Sequence, residues 1–561
     1  MKKDNQLMQR VTKALLSLLF GVCIALTAFA QNVPYHVSND RVYEFLEELS
    51  SLKAIQLNNV VLPLSRLQIY SYLHEAEEKS ESLNSRQQKE LKFYLQDFIK
   101  ESPSYYGFDF LGKGLKRGDV FPLRKREKRY DLVHYKDSLF NLTVNPIFGG
   151  EGVLSGSEFN YQYSLGARMY GNISKYFSFY AEIRDNSDTE VMSDETFLTQ
   201  RMGVNYKTGL DYSEMRAGIS ASVKWASLSL VKDHIQWGSN YNGSNIISGR
   251  TPSFPMIKLD LNPLDWFSFH YIHAWLISDE VDSAASYNSG GGYREIMRSK
   301  YMAANMFTIR PVKGLYFSAG NSVIYSDRFN PVYLIPFLFY KSVDHTLNST
   351  SSNSNFGGQN SQMFLNLMSR NIKYLQLYFS FFVDEVRLST ATDKNNSRNH
   401  MSYKVGARFT APGNVNLSLI LEYTRTNPMA YKHFVSTTTF ASNSYGIGHY
   451  LGDNAEEFFV SLVYKPISRL HVRTSFGLVR KGTDYAYNEG KDGTGLPFIN
   501  TETVRRYDAR LRVSYSVAQD VNVAVGYQFL KETGSGAYTF LPAAYGASGP
   551  HHLSLGLTIG Y

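Results

Sequence analysis

Apolar and polar side chains alternate along most of the chain, from about residue 138 to the C-terminus. In residues 159–169, which read FNYQYSLGARM, every second side chain is apolar, and the pattern resumes in residues 177–184. A period of two places the apolar side chains on one face of a β-strand and the polar side chains on the other. The alternation predicts a mainly β domain, but it does not separate a soluble sandwich from a barrel.

Strand length and the rhythm of the connections separate these two folds. The strands run for about ten residues or more, the length that a tilted strand needs to cross a bilayer. Very short turns alternate with long polar connections, as in outer-membrane barrels. The short turns are predicted near residues 172–174, 225, 262–265, 311–314, 371–372, 412–414, 466–468 and 517–519. Eight strand pairs and one further strand at each end give a transmembrane antiparallel β-barrel of about 18 strands.

The last residues of the chain support a barrel. They read HHLSLGLTIGY from residue 551 to residue 561, with apolar side chains in one register up to a terminal Tyr561. Such a strand is similar to the targeting signal of bacterial outer-membrane barrels. Because lipid offers no partners to backbone polar groups, strands can span a membrane only as a closed barrel. A lumen of this width must hold water or be occupied, by the connection 326–361 or by the residues before the barrel.

The residues before the barrel have a helical period instead. Apolar side chains recur at helical spacing between residues 34 and 102, with helix starts predicted at Asp40, after Pro63-Leu64-Ser65 and after Asn84-Ser85. We interpret residues 31–112 as a small three-helix bundle whose apolar stripes form its core. An even number of strands returns the chain to the side where it started, so the bundle is expected in the periplasm. Three short helices bury little area alone, so we expect the bundle to dock against the barrel mouth.

The first thirty residues read as a secretory signal peptide. Four basic residues precede an apolar stretch, Ala14 to Phe29, that ends in the small-x-small site Ala28-Phe29-Ala30. A transmembrane anchor is the alternative, but the apolar stretch is short for one. The only cysteine, Cys23, lies inside this segment. The mature chain, with its barrel at residues 138–561, is therefore expected to have no disulfide and no thiolate metal site. We also expect no cofactor.

The net charge of +8 is concentrated in one segment. Residues 113–129 read KGLKRGDVFPLRKREKR and contain eight basic and two acidic residues, a net +6. A basic balance confined to one stretch does not indicate a nucleic-acid-binding domain. We interpret residues 113–137 as a basic linker. It is either simply solvated or in contact with anionic head groups of the outer-membrane lipids.

Projecting the alternation inward predicts a charged lumen. The predicted lumen-lining basic residues are Arg168, Arg184, Arg216, Lys404, Arg408, Arg473, Arg506, Arg510 and Arg512. Glu182, Glu422, Asp384 and Asp508 fall on the same faces. Two interpretations remain open. The charges pair across strands and rigidify a wet wall, or the lining is electropositive and handles an acidic polymer.

The sequence offers little for catalysis. It contains no H-E-x-x-H, no G-x-S-x-G and no phosphate-binding loop. Asp233 and His234 are adjacent, so within a strand they are expected to point to opposite faces. We therefore expect no enzymatic activity. The alternative is an outer-membrane hydrolase in which the fold brings a Ser, a His and a carboxylate together.

One region resembles a known family. Residues 233–257 read DHIQWGSNYNGSNIISGRTPSFPMI, and Asp327-Arg328-Phe329-Asn330-Pro331 precedes an apolar run. Both segments, and the order of signal, helical bundle and barrel, resemble the Wzi family of capsule-assembly proteins. The sequence departs from the family at Ser239-Asn240, where Pro-Gly is frequent, and in the longer Asn-rich connection 326–361. The resemblance implies an outer-membrane lectin that retains capsular or other surface polysaccharide and does not synthesise it.

The same region supplies the candidate binding residues. Trp237, Tyr241 and Asn242 are expected to contact sugar, since aromatic faces stack on sugar rings and amides satisfy hydroxyl groups. Arg250 and Arg294 are expected to bind uronic or phosphate groups. An interfacial aromatic belt is the alternative for Trp237. The alternative for the whole protein is a porin or solute channel, which would not need the helical bundle. The sequence does not specify the oligomeric state.

Overall fold

The computed structural model describes residues 32–105, 107–110, 131–189, 211–349, 358–385, 399–486, 496–536 and 549–560. The predicted signal peptide at residues 1–30 lies outside these residues, as does most of the basic segment. Three helices come first, in the predicted places: α1 (Asp40–Ser51), α2 (Arg66–Glu78) and α3 (Ser85–Phe98). A fourth helix, α4 (Tyr340–Ser349), lies in a long connection between strands.

Eighteen antiparallel strands close into a barrel, which confirms the predicted fold class. They are β1 (Phe140–Ser155), β2 (Glu158–Ile173), β3 (Phe177–Asp188), β4 (Asp211–Val223), β5 (Ala226–Asp233), β6 (Phe254–Leu264), β7 (Phe267–Leu276), β8 (Lys300–Val312), β9 (Leu315–Ser326), β10 (Asn360–Ser369), β11 (Leu375–Glu385), β12 (His400–Thr410), β13 (Leu417–Thr426), β14 (Ala455–Ile467), β15 (Leu470–Gly482), β16 (Glu502–Ala518), β17 (Val521–Thr533) and β18 (His551–Ile559). The barrel closes where β18 pairs with β1, in the register Ile559↔Phe148.

The start of β1 has a different partner. Its first residues pair with a short strand, Val133–Lys136, and a second short strand, Gly107–Phe110, pairs with that one. The two short strands therefore continue the sheet along this edge of β1, beyond the end of β18. The prediction of a linker over residues 113–137 was wrong for its last part, because Val133–Lys136 belongs to the sheet.

The connections divide the barrel into two different ends. All eight predicted short turns are present, for example residues 265–266 between β6 and β7 and residues 313–314 between β8 and β9. Both ends of the barrel chain lie at this short-turn end. The opposite end carries the long connections, with one exception at residues 156–157, where Gly156 has a positive φ of 59° and allows a tight turn.

The outer face of the wall is apolar. Exposed Phe, Leu, Ile, Val and Tyr side chains alternate with inward polar ones, for example Phe159 and Leu165 on β2 and Leu553 and Leu555 on β18. A continuous exposed apolar face around a closed sheet suits the hydrocarbon layer of a membrane. Among the described residues, no helix is long and apolar enough to cross a membrane.

The three helices form a bundle with its own apolar core. Phe45, Leu46, Leu49, Ile69 and Leu73 are completely buried in it. Ser65 and Asn84 each accept a hydrogen bond from the backbone three residues later, in capping boxes that fix the starts of α2 and α3. Asp40 is the first residue of α1 and not its cap, since Asn39 holds that position without a side-chain bond.

The bundle docks in the barrel at the short-turn end. The Asn84 amide donates to the carbonyl of Gly413, the Gln519 amide donates to the carbonyl of Phe93, and Tyr374 N–H donates to Ser51 O at 2.8 Å. Gly413, Tyr374 and Gln519 lie in or beside three different short turns. The helices therefore contact the rim of this mouth on several sides.

Charged pairs hold the bundle to the inner wall. Lys465 Nζ on β14 lies 3.0 Å from Glu48 and 3.1 Å from Glu90, and Arg408 on β12 lies 3.0 Å from Glu47. Arg473 on β15 lies 2.5 Å from Glu44. Except for Arg473, these side chains are almost completely buried, so each charge depends on its partner.

Acid is expected to weaken this docking. Burial alone would raise the pKa of Glu48, but Lys465 and Arg86 outweigh it and hold the pKa at about 2. For Glu44, burial is likewise outweighed by Arg473 and Lys465, which lower the pKa. A carboxylate with a lowered pKa contributes stability that is present above its unfolded value of 4.5 and is lost as pH falls towards the folded value.

Hydrogen exchange of the α1 amides, corrected for the intrinsic rate at each pH, checks this prediction. Protection is expected to be constant between pH 7 and pH 5 and to fall between about pH 4.5 and pH 2. Amides in the middle of β9, which does not contact these charged pairs, serve as the control. Equal protection of α1 across that window would contradict the prediction.

Candidate functional site

The lumen above the bundle is filled by protein in one sector. One buried apolar cluster joins inward side chains of the neighbouring strands β2–β3 and β5–β11 to residues of two long connections, 234–253 and 427–454. From these connections it includes Ile246, Ile247, Tyr431 and Phe440, and from the N-terminal segment Val60 and Val61. This sector of the inner wall is packed as a protein core and does not line a water-filled channel.

We call residues 234–253 the inward loop, because this connection folds back into the barrel. Its first part pairs with the N-terminal segment, since Trp237 lies opposite Val61 in a short antiparallel pair. Gly238 N–H then donates to Val60 O at 2.9 Å, and Trp237 N–H donates to Ile247 O at 2.9 Å. The inward loop therefore connects the long-loop end of the lumen to the bundle.

Trp237 has neither of its predicted roles in this structure. Its side chain has no exposed area and packs edge-to-face with Phe364, at 6.0 Å between ring centroids. A belt residue would lie on the outer wall, and a sugar-binding tryptophan needs an open ring face. Both expectations were wrong because the Trp-Gly segment follows the inward loop into the lumen.

Glu422 on β13 anchors the middle of the inward loop. Its carboxylate accepts hydrogen bonds from Tyr241 N–H at 2.7 Å and Asn242 N–H at 2.9 Å. It also accepts from the Tyr378 hydroxyl at 2.6 Å and the Lys404 ammonium group at 3.1 Å. Four donors on one buried carboxylate satisfy its charge and hold the loop against the wall.

Gly406 makes room for this arrangement. It lies on β12 between Tyr378 on β11 and Glu422 on β13 in the strand register. A Cβ at this position would come within 2.2 Å of the Tyr378 ring. Because glycine has no side chain, the Tyr378 ring can cross β12 and bring its hydroxyl to Glu422.

The other predicted residues of the inward loop join a second carboxylate. The Asn242 amide donates to Glu457 Oε1 at 2.9 Å, and the Tyr450 hydroxyl donates to the same oxygen. Arg250 stacks over the Tyr450 ring at 4.7 Å, and burial lowers the pKa of its guanidinium to about 10. Tyr241, Asn242 and Arg250 therefore lie together, and each has a contact to the wall or to the 427–454 connection.

Arg294 lies apart from this group, on the exposed surface. It belongs to a small hairpin at the long-loop end, formed by Tyr287–Ser289 and Gly292–Arg294. Tyr287 and Arg294 are directly opposite in the register and so share one face of the hairpin, while Asn288 and Tyr293 share the other. All four side chains are exposed. Arg294 is the one predicted binding residue that solvent reaches freely.

The charged lumen residues are paired. All nine predicted basic residues lie on the face of their strands opposite to the exposed apolar side chains, and each contacts a carboxylate. The pairs are Arg168–Asp520, Arg184–Glu182, Arg216–Glu182, Lys404–Glu422, Arg408–Glu47, Arg473–Glu44, Arg506–Glu532, Arg510–Asp508 and Arg512–Glu151. The contacts favour a wall of paired charges over an electropositive lining.

A chain of polar contacts also joins the bundle to β4 and β5. Ser38 Oγ lies 2.6 Å from His36 Nδ1, and His36 Nε2 lies 3.0 Å from His234 Nδ1. His234 Nε2 lies 3.3 Å from Glu214. The expectation for Asp233 and His234 was wrong, because both are buried on the inside, where β5 ends. Both histidine rings are buried between bundle and wall, so a polymeric substrate does not reach them.

Comparison with known proteins agrees with this architecture. The sequence profile described as capsule assembly protein Wzi matches residues 140–532. No curated protein sequence matches significantly. Among solved structures, the fold is similar to that of Wzi from Escherichia coli, described as an outer-membrane protein involved in group 1 capsule assembly and a carbohydrate-binding β-barrel. The two chains are 10% identical with a TM-score of 0.55, and the match covers 95% of this chain and 100% of the other.

Two other barrels give weaker matches. OpdK from Pseudomonas aeruginosa has a TM-score of 0.42, and OccAB2 from Acinetobacter baumannii has a TM-score of 0.44, each at 9% identity. The matches cover 74% and 76% of this chain and 98% and 99% of the other chains. These scores carry no argument about function. The profile match spans more than half of the chain and confirms the resemblance of residues 233–257 and 327–331: the chain belongs to the Wzi family of capsule assembly proteins.

Proposed function

We propose that this protein is a lectin-like barrel of the outer membrane that binds surface polysaccharide and retains it during capsule assembly, without catalysing its synthesis. The observation that carries the proposal is the occupied lumen: an apolar core fills one sector, and the helical bundle docks at the short-turn end. A barrel occupied by an apolar core and a docked bundle is suited to present a rigid surface, and poorly suited to conduct solutes. Membership of the Wzi family supports the same function, as does the similarity to the Escherichia coli protein, a carbohydrate-binding β-barrel.

The proposal includes an orientation. With eighteen strands, the chain enters and leaves the barrel at the short-turn end. Short turns face the periplasm in outer-membrane barrels, and long loops face the exterior. The bundle then lies at the periplasmic mouth, and the long-loop end meets the polysaccharide.

The exposed hairpin is the best surface for sugar contact. Tyr287 offers a ring face that a sugar ring can cover, and Arg294 beside it offers a guanidinium fork for a uronate or phosphate group. Tyr241, Asn242 and Arg250 lie deeper and serve first to hold the inward loop. We therefore assign direct contact to Tyr287 and Arg294, and support of the surface to the inward loop.

Polymer retention tests this function in cells. A strain without the gene is expected to synthesise the polysaccharide at an unchanged rate and to release it into the medium. The wild-type gene should restore cell-bound polymer, while the double variant Tyr287→Ala/Arg294→Ala should not, because losing about 1.4 kcal/mol lowers affinity tenfold. Phe434→Ala removes an equally exposed aromatic from another long connection and is the control. Unchanged cell-bound polymer in the deletion strain would refute the function.

Conductance separates this function from the porin alternative. The purified protein in a planar bilayer is expected to show no large, steady open-channel current, because the bundle and the two inserted connections occupy the lumen. Deleting residues 34–102 should raise conductance only slightly, since the inward loop stays anchored by Glu422. Large currents from the intact protein would favour the porin.

A further inference from the structure

The connection between β9 and β10 is partly on the outside of the barrel. Residues 331–340 pack against the outward faces of β6 to β9. Five side chains point outward, since they alternate along their strands with inward residues of the lumen cluster such as Ile272, Ala304 and Ile324. They are Phe269, Tyr271, Ala303, Val323 and Tyr325. These outward side chains are nevertheless completely or almost completely buried, since Tyr333, Leu338 and Tyr340 cover them. We call residues 331–340 the flap.

The flap reaches far down the wall. The Phe337 ring stacks on Phe269 at 4.6 Å between centroids and lies 6.5 Å from Phe307. Phe307 lies near the middle of β8, and Phe269 is the third residue of β7 after its short turn. The flap therefore covers the level of the exposed apolar face and extends well below the rim.

The outer wall satisfies the polar backbone of the flap. Asn305 points outward and its amide donates to both Pro336 O and Leu338 O at 2.8 Å. Asn321 accepts from Tyr340 N–H at 2.8 Å, and the Tyr271 hydroxyl donates to Tyr333 O at 2.8 Å. Irregular backbone is tolerated at membrane depth only when protein satisfies it in this way. Asparagines on a lipid-facing wall are costly, and the flap explains their presence.

The outer side of the flap is apolar. Leu334, Ile335, Phe337 and Phe339 are each between about 39% and 57% exposed. They continue the exposed apolar face of the neighbouring strands, where Ile309, Phe317 and Leu365 are exposed to a similar extent. Four exposed apolar side chains so close together are poorly suited to face water.

We propose that the flap is embedded in the membrane and that Leu334, Ile335, Phe337 and Phe339 bind lipid acyl chains. The sequence predicts this connection to lie outside the membrane or inside the lumen. In this proposal the flap instead anchors the barrel in the membrane from the side. It fixes this side of the barrel wall to the apolar layer of the membrane. The proposal rests on the outward packing of the flap and on its continuity with the apolar wall, and is independent of carbohydrate binding.

Spin labels measure this placement directly. The only cysteine, Cys23, lies in the predicted signal peptide, so the mature chain is expected to carry only the single cysteine introduced by Phe337→Cys or Phe339→Cys. The protein is reconstituted in dioleoylphosphatidylcholine vesicles, and label accessibility to oxygen and to a water-soluble nickel complex is compared. Leu365→Cys on the wall is the lipid control, and Arg294→Cys on the hairpin is the water control.

At residues 337 and 339, the oxygen-to-nickel accessibility ratio is expected to match that at residue 365 and to exceed that at residue 294 several-fold. A ratio like that at residue 294 would overturn the proposal. A label protected from both reagents would also overturn it, because a second copy or another protein would then cover the flap. Adding Asn305→Leu to Phe337→Cys removes the hydrogen bonds to Pro336 O and Leu338 O and is expected to release the flap. The oxygen-to-nickel ratio at residue 337 should then fall. An unchanged ratio would contradict the role of Asn305 in holding the flap.

Discussion

Replacing Lys465 with Met is expected to loosen the bundle from the barrel. The substitution leaves Glu48 and Glu90 in a buried site with Arg86 as their remaining close cation. Breaking a buried ion pair by removing one partner costs about 3–5 kcal/mol. Hydrogen exchange of the α1 and α3 amides should speed up by two to three orders of magnitude, at about 1.4 kcal/mol for each factor of ten.

Lys313→Met is the matched control for this variant. Lys313 lies in the exposed turn between β8 and β9, at the same end of the barrel, and is expected to change exchange very little. Normal protection of α1 in the Lys465 variant would mean that apolar contacts alone hold the bundle. Faster exchange throughout the barrel would mean that the substitution disrupts the barrel and not the docking.

Replacing Glu422 with Ala is expected to release the inward loop. The change removes the acceptor of Tyr241 N–H, Asn242 N–H and the Tyr378 hydroxyl, and leaves Lys404 buried without its close carboxylate. Local stability of the loop should fall by about 3–5 kcal/mol, again because an uncompensated charge stays buried. The amides of Tyr241 and Asn242 should therefore lose most of their protection from exchange.

Glu151→Ala provides the comparison, because it also removes a lumen carboxylate from its Arg512 partner. Both side chains of that pair are partly exposed, so the expected cost is below about 1 kcal/mol. If the amides of the inward loop are equally protected from hydrogen exchange in the Glu422 and Glu151 variants, then Glu422 does not anchor the loop. Conductance of the Glu422 variant gives a second readout, and it should exceed that of the intact protein.

Much of the fold follows from local sequence patterns. Strand positions follow from a two-residue period, and helix starts follow from capping residues such as Ser65 and Asn84, both of which act within a few residues. The short turns also have local signals, such as Pro412-Gly413 before Asn414. Each of these features is determined by neighbours in the chain, so a single sequence contains the information.

The candidate site depends on contacts between distant residues. The local sequence predicts Trp237 at the surface, because it does not show that the surrounding loop folds inward and pairs with Val61. Arg408 reads as an electropositive lumen residue until its partner, Glu47, arrives on α1. The flap is an apolar run, PVYLIPFLFY, within a connection that is otherwise mostly polar. Its position on the outer wall depends on residues far away in sequence, among them the outward asparagines Asn305 and Asn321.

Binding of polysaccharide by the purified barrel tests the central proposal most directly. The protein in detergent is titrated calorimetrically with surface polysaccharide prepared from the source bacterium, beside the Tyr287→Ala/Arg294→Ala variant and the Phe434→Ala control. Saturable binding is expected for the wild type and the control, with affinity at least about tenfold lower for the double variant. Absence of binding by the correctly folded wild-type protein would contradict a polysaccharide-binding function.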